Sequence, residues 1–349
     1  MPRRRDPHQL SLFPDGDGNG GLEDGGSRSR REPGVGLAMP DPADVRLAER
    51  IPASVRLGTS SWAFPGWEGL VWDRRATEGE LARSGLAAYA QHPLFRTVGI
   101  DRTFYAPLSA EQFARYAADA PSDFRFLCKA LDAVTSATLP GRGAVGGSRR
   151  EPSPHFLDAT YATDTVVGPF LAGLGDRAGP LVFQFVPLPR EMAREPQAFV
   201  ERLHRFLTAL PRGPLYAVEL RNRNLMIDAY RQALSDAGVA HCINVHPTMP
   251  TPAEQCAAAP PETMPAVVIR WMLNSTHDYT SARERYHPFD KLVDEDLHSR
   301  TAIAAACVEA AARRQPVYVI ANNKAEGSAP LTVRRLAEEI VRRVAAADV

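Results

Sequence analysis

The sequence lacks an excess of charge of either sign. Lys+Arg and Asp+Glu both total 41, so the formal net charge is zero. Whole-chain charge therefore gives no support for a nucleic-acid or membrane surface, and a local patch would have to supply one. Long hydrophobic runs are also missing: no stretch reaches the roughly 18 apolar residues a membrane span needs. The N-terminus opens with Arg3, Arg4 and Arg5 but lacks the apolar run of a signal peptide, which makes a cytoplasmic protein the default expectation. Cys128, Cys242, Cys256 and Cys307 are far apart and form no Cys-x-x-Cys pair. Isolated thiols of this kind read as small buried hydrophobes, not as ligands or disulfides. No His-x-x-Glu-His and no paired carboxylate cluster is present, and of the nine histidines only His246 falls near a strand end. The expectation is no metal and no cofactor.

What is there divides into two parts. Residues 1 to about 48 interleave glycines (Gly16, Gly18, Gly20, Gly21, Gly25, Gly26, Gly34, Gly36) with charges and with Pro14, Pro33, Pro40 and Pro42. Such a segment buries too little apolar surface to offset its ordering entropy, and it reads as a disordered arm. From residue 49 to 349, β-rich runs alternate with amphipathic ones. Strands are expected at Val55–Ser60, Thr97–Phe104, Phe124–Ala130, Leu181–Phe185, Leu215–Leu220, Val239–Val245, Ala266–Trp271 and Val317–Ala321. Between and after them, Ala110–Ala118, Gln197–Leu210, Thr301–Arg314 and Leu331–Ala347 carry apolar residues at helical spacing. Eight strand–helix alternations predict an α/β fold of (β/α)8, TIM-barrel-like form in a single domain. An open doubly wound sheet is the competing architecture, but no Gly-x-Gly-x-x-Gly follows the first strand and no Walker-type loop is present. The stretches Leu131–Pro154 and Asn274–Lys291 fit no regular element. Both follow strands, which would put them over the barrel mouth.

Side chains alternate faces along a strand, and in a barrel the outer face packs on helices. By that alternation Lys129, Gln184, Glu219, Arg221 and Arg270 point inward, Asp101 and Tyr105 share one face of the second strand, and the last strand runs into Asn322 and Asn323. All fall at the carboxyl ends, where a β/α barrel builds its active site. The charges can neutralise one another within the barrel, or they can converge on a ligand. Lys129, Arg221 and Arg270 against Glu219 and Asp101 leave one surplus cation, which suits a small anionic ligand. In the enzymatic reading, Lys129 serves as a Schiff-base nucleophile or proton donor with Glu219 or Asp101 as the matching base. Tyr105, Gln184, Arg221, Arg270, Asn322 and Asn323 then bind substrate. In a competing reading the mouth reads phosphates of a nucleic acid, with Tyr279, Arg283, Arg285 and Tyr286 along a strand.

With these residues placed, the chain resembles the YecE-like family, a bacterial domain of unknown function with a TIM-barrel-like fold. The likeness runs from about residue 55 to the C-terminus. It rests on Gly58-Thr59-Ser60-Ser61-Trp62, Thr103-Phe104-Tyr105, Phe126 to Lys129, Phe183-Gln184-Phe185, Ala217-Val218-Glu219-Leu220-Arg221, Arg270, and Asn322-Asn323 leading to Gly327-Ser328-Ala329-Pro330. The resemblance implies a glutamate where this chain has Gly99, an asparagine at Asp101, a tryptophan at Leu225 and a threonine-histidine pair at Thr135-Ser136. If that glutamate is the family's base, the chain either uses Asp101 instead or is an inactive scaffold. In the arm, Gln9-Leu10-Ser11-Leu12-Phe13 resembles the pentapeptide that docks bacterial replication and repair proteins on the sliding clamp. Leu12 and Phe13 would fill an apolar pocket, with Gln9 and Leu10 anchoring upstream.

Overall fold

The computed structural model describes residues 34–140 and 150–347. The residues proposed to meet a sliding clamp, Gln9, Leu10, Leu12 and Phe13, lie outside the described residues, as do the loop glycines Gly141, Gly143, Gly146 and Gly147.

Eight parallel strands close into a barrel in which spatial order follows chain order. They are β1 (Val55–Thr59), β2 (Thr97–Ile100), β3 (Arg125–Lys129), β4 (Ala178–Gln184), β5 (Tyr216–Glu219), β6 (Ala240–Val245), β7 (Val267–Trp271) and β8 (Val317–Ala321). Nearly every strand residue is buried, because helices cover the outside and side chains fill the inside. This explains why the strands read as continuous β-branched and aromatic runs. β1 closes the ring on β8 with five aligned pairs, from Val55 opposite Val317 to Thr59 opposite Ala321. Its other edge meets β2 through only two aligned pairs. Gly58 sits there because a Cβ would lie 1.8 Å from the Thr97 carbonyl oxygen. The Tyr89 hydroxyl reinforces this short seam: it accepts from the Thr59 amide (2.9 Å) and lies 3.3 Å from the Thr97 carbonyl oxygen, to which it donates.

The expected helix at Ala110–Ala118 is found, capped by Ser109 and Gln112 in a reciprocal box. The others form at Pro196–Ala209, Leu297–Ala312 and Ala329–Ala347, within a few residues of the expected bounds. Leu336 and Ile340 of the last helix are fully buried.

Three details differ from the sequence reading. Residues 34–48, grouped there with the arm, are built into the fold. Leu37 bridges to Trp72, and the helix Pro42–Arg50 docks on the C-terminal helix, with Arg334 reaching Asp41 (2.7 Å) and Asp44 (3.0 Å). The second strand stops at Ile100, and Asp101–Phe104 turn as a 3-10 helix. The Thr103 hydroxyl holds that turn by donating to the carbonyls of Ile100 and Lys129, both at 2.7 Å. Finally, neither of the two long stretches is irregular throughout: the helix Asp132–Thr135 and an antiparallel pair of Thr138–Pro140 with Arg150–Pro152 lie in the first, and the second is the segment after β7. It contains the helix Tyr279–Tyr286, capped by Asp278, over a small cluster of Leu273, Ala282, Tyr286 and Phe289. Among the described residues no helix is long and apolar enough to cross a membrane.

Candidate functional site

Parallel strands in register bring their polar ends to one level. Gln184 aligns with Glu219, and Asn244 with Arg270. Arg270 is the hub. Its Nη1 donates to Gln184 Oε1 (2.9 Å) and pairs with Glu219, while Nη2 donates to both Asp101 oxygens at 3.0 and 3.2 Å. Arg221 takes the other Glu219 oxygen. Glu219 and Arg270 are essentially inaccessible to solvent. Burial alone would raise the Glu219 carboxyl, but Arg221 and Arg270 outweigh it and hold it down at about 2. A carboxylate with both oxygens on guanidiniums has little capacity left to accept a proton. The possibility that these charges neutralise one another is therefore realised for Glu219, Arg221, Arg270 and one face of Asp101.

A cleft of about 690 Å³ opens beside this network, not on top of it. Its floor is formed by the ends of β1 (Ser60, Ser61), β2 (Gly99, Asp101), β3 (Lys129), β7 (Met272) and β8 (Asn322). The ends of β4, β5 and β6 contribute nothing to its lining. Of the residues singled out from sequence, Asp101, Tyr105, Lys129 and Asn322 line the cleft. Gln184, Glu219, Arg221 and Arg270 are not part of its lining. Asn323 is structural in its contacts: its side-chain oxygen accepts from Trp67 Nε1 (3.1 Å) and from the Ala329 amide (2.8 Å). Asn322 caps the short helix Asn323–Glu326 and donates to the Ser60 hydroxyl at 2.8 Å.

Lys129 is the unusual group. The side chain is 5% exposed, its ammonium lies 4.0 Å from the centre of the Phe104 ring and 5.9 Å from that of Tyr105, and it makes no ion pair among the described residues. Burial drives it down to about 8; Asp101 opposes that and Arg270 adds to it. A buried ammonium facing a cavity with rings in place of a carboxylate is a costly arrangement that packing does not require.

The sequence reading missed the outer wall, which comes from the loop after β1 (Phe64, Pro65, Gly66) and from residues 279–290. Gly66 is obligatory there, since a Cβ would sit 1.8 Å from the Pro288 carbonyl oxygen. It also missed Lys324, which lines the cleft with its ammonium 4.0 Å from the Tyr279 ring centre. One signal was available. The chain holds only three lysines, Lys129, Lys291 and Lys324, and two of them meet in this cleft. Of the residues considered for a nucleic-acid strand, Tyr286 is buried and Arg285 is paired with Asp294 at 2.6 Å. His246, the one histidine near a strand end, is pushed down to about 4 by burial and by Arg221, and it bonds to the Thr248 hydroxyl.

A family model described as "Protein of unknown function DUF72" matches residues 56–348. This accords with the YecE-like resemblance carried by the motifs. A solved DUF72 family protein from Thermotoga maritima is 19% identical, with a TM-score of 0.56 over 81% of this chain and 98% of that one. Another, from Enterococcus faecalis, is 18% identical, with a TM-score of 0.55 over 82% of this chain and 95% of that one. At such identities the likeness shows the shared barrel alone. No curated protein matches the chain.

Proposed function

Since the chain belongs to the DUF72 family, whose description assigns no reaction, we propose that this barrel is an enzyme acting on a small anionic, hydroxyl-bearing substrate in the cleft at its mouth. The observation that carries the reading is Lys129, a buried ammonium at the cleft floor without an ion-pair partner among the described residues. An incoming carboxylate or phosphate would supply the missing countercharge. Ser60, Tyr105 and the Asn322 amide border the same space and can hydrogen-bond hydroxyls.

Near its midpoint at about pH 8, Lys129 can act in either protonation state. As the neutral amine it would add to a substrate carbonyl carbon; loss of water then gives a protonated imine. Asp101 is the carboxylate on the cleft floor with it, whereas Glu219 acts at one remove by fixing Arg270, and Arg270 in turn orients Asp101. In this reading Gln184 and Arg221 position the network and do not touch substrate.

The test is reductive trapping. The protein is incubated with dihydroxyacetone phosphate or pyruvate and treated with borohydride, and its peptides are mapped by mass spectrometry. An adduct confined to Lys129, absent in Lys129→Gln, is the expected result. Anion binding that depends on Lys129 without any adduct would leave the amine as a charge or proton donor only. If neither an adduct nor Lys129-dependent anion binding is found, the inactive-scaffold reading takes over.

A further inference from the structure

Aromatic side chains are buried wholly or in part almost throughout the fold. Among the described residues Tyr105 is the most exposed of all Phe, Tyr and Trp side chains, at 38%, and it lines the cleft. A lone apolar residue on a free surface needs no explanation. A ring left open inside a cavity, beside a buried ammonium, does.

The ring is mounted on a fixed support. Tyr105 follows the 3-10 turn Asp101–Phe104, and the Thr103 hydroxyl ties that turn to the Lys129 carbonyl at 2.7 Å. Phe104 packs edge to face against it, with ring centres 5.2 Å apart and planes at 88°. The Lys129 ammonium lies 5.9 Å from the Tyr105 ring centre. The phenol makes no hydrogen bond among the described residues, and burial, followed by the Asp101 charge, pushes it up, so the ring stays neutral. The same cleft is lined by Phe64 and Phe289, packed edge to face at 5.9 Å, and by Met272. Its volume of about 690 Å³ falls within the range of roughly 300–1,000 Å³ typical of clefts that enclose whole small molecules, well beyond a lone phosphate or carboxylate.

We propose that the anionic group of the substrate is attached to a ring, and that this ring lies against Tyr105 while the anion meets Lys129. This rests on the anion-binding reading of Lys129 and adds a ring subsite to it. Stacked ring pairs sit about 4.5–7 Å apart between centres, so a ring one or two bonds from an anion on Lys129 is within reach of Tyr105. Both an aromatic ring and the apolar face of a sugar ring fit that surface, and Ser60 and Asn322 can meet hydroxyls of the latter.

Calorimetric titration of the full-length protein with methylphosphonate, phenylphosphonate, cyclohexylphosphonate and glucose 1-phosphate tests the two parts separately. The expected result is that at least one ring-bearing ligand binds about tenfold more tightly than methylphosphonate. Preference for phenylphosphonate would assign an aromatic ring, and preference for glucose 1-phosphate a sugar. Tyr105→Ala should bring the ratio of ring-bearing ligand to methylphosphonate close to one, and Tyr105→Leu should lower it, since each removes the flat face. Tyr105→Phe should retain the ratio for phenylphosphonate, which has no hydroxyl for the phenol to meet. Methylphosphonate binding through Lys129 with no gain from any ring, or with a gain that survives in Tyr105→Ala, would overturn the ring subsite and leave the anion reading intact. Failure of every one of these anions to bind would overturn both.

Discussion

The two halves of the barrel mouth use charge in opposite ways. On the side of β4 to β7, Glu219, Arg221 and Arg270 pair within the barrel, with Glu219 and Arg270 sealed from solvent. On the side of β8, β1, β2 and β3, Lys129 rests on the Phe104 ring and borders the cleft. Charged side chains at the strand ends thus form a closed electrostatic frame on one side, while on the other the buried Lys129 ammonium has no ion-pair partner among the described residues. A satisfied network holds its geometry, whereas an unsatisfied one is left for a ligand to complete.

The contrast is broken most severely by Arg270→Met. This leaves Asp101 without its partner and Glu219 with Arg221 alone, and we expect a loss of about 3–5 kcal/mol in urea denaturation. The acid limb sharpens the point. The folded Glu219 carboxyl is depressed from 4.5 to about 2, so its stabilisation is complete above pH 4.5 and disappears as pH falls towards 2. In Arg270→Met that contribution should be smaller and the acid unfolding transition of the less stable protein should lie at a higher pH. An unchanged acid transition would show that the pairing is weak.

Lys129→Met should do the reverse on the open side. The Lys129 ammonium is depressed from 10.5 to about 8, so its charge opposes folding below pH 8, and the penalty fades between pH 8 and 10.5. Its removal should stabilise the protein by about 2–3 kcal/mol at pH 7, with the gain vanishing towards pH 10.5, while anion affinity falls. A destabilised variant would place Lys129 with the structural charges instead.

This comparison also separates what the sequence disclosed from what it hid. Runs rich in β-branched and aromatic residues located all eight strands, because a strand buried on both faces leaves a local record. Gln184, Glu219 and Arg270 were legible as inward because side chains alternate faces along a strand. The cleft's position was not legible, because it depends on which strand ends are roofed, and that is decided by Gly66 meeting Pro288 across more than two hundred residues. Asp101 and Tyr105 reach the mouth through a 3-10 turn that strand alternation does not describe. Tyr286 looked available for stacking in a polar segment, but the cluster with Leu273 and Phe289 buries it.

The smallest expected effect on the barrel comes from the arm. The peptide Gln9–Phe13 is proposed to bind the bacterial sliding clamp with modest affinity, since a short extended segment must be ordered on binding. Leu12→Ala with Phe13→Ala should abolish competition with a clamp ligand in fluorescence polarisation and leave the melting temperature unchanged. If the wild-type peptide does not compete at high micromolar concentration, the five-residue match is a coincidence.

The central claim is that Lys129 is a buried amine left incomplete for an anionic substrate. The chain's three lysines make it directly observable, because selective ¹³Cε-lysine labelling yields only three signals, assignable by substitution at Lys129, Lys291 and Lys324. The account predicts that the Lys129 signal titrates with a midpoint near 8 and that this midpoint rises when methylphosphonate is added, since a bound anion favours the charged form. A Lys129 signal that titrates near the ordinary 10.5 and does not respond to the anion would contradict it.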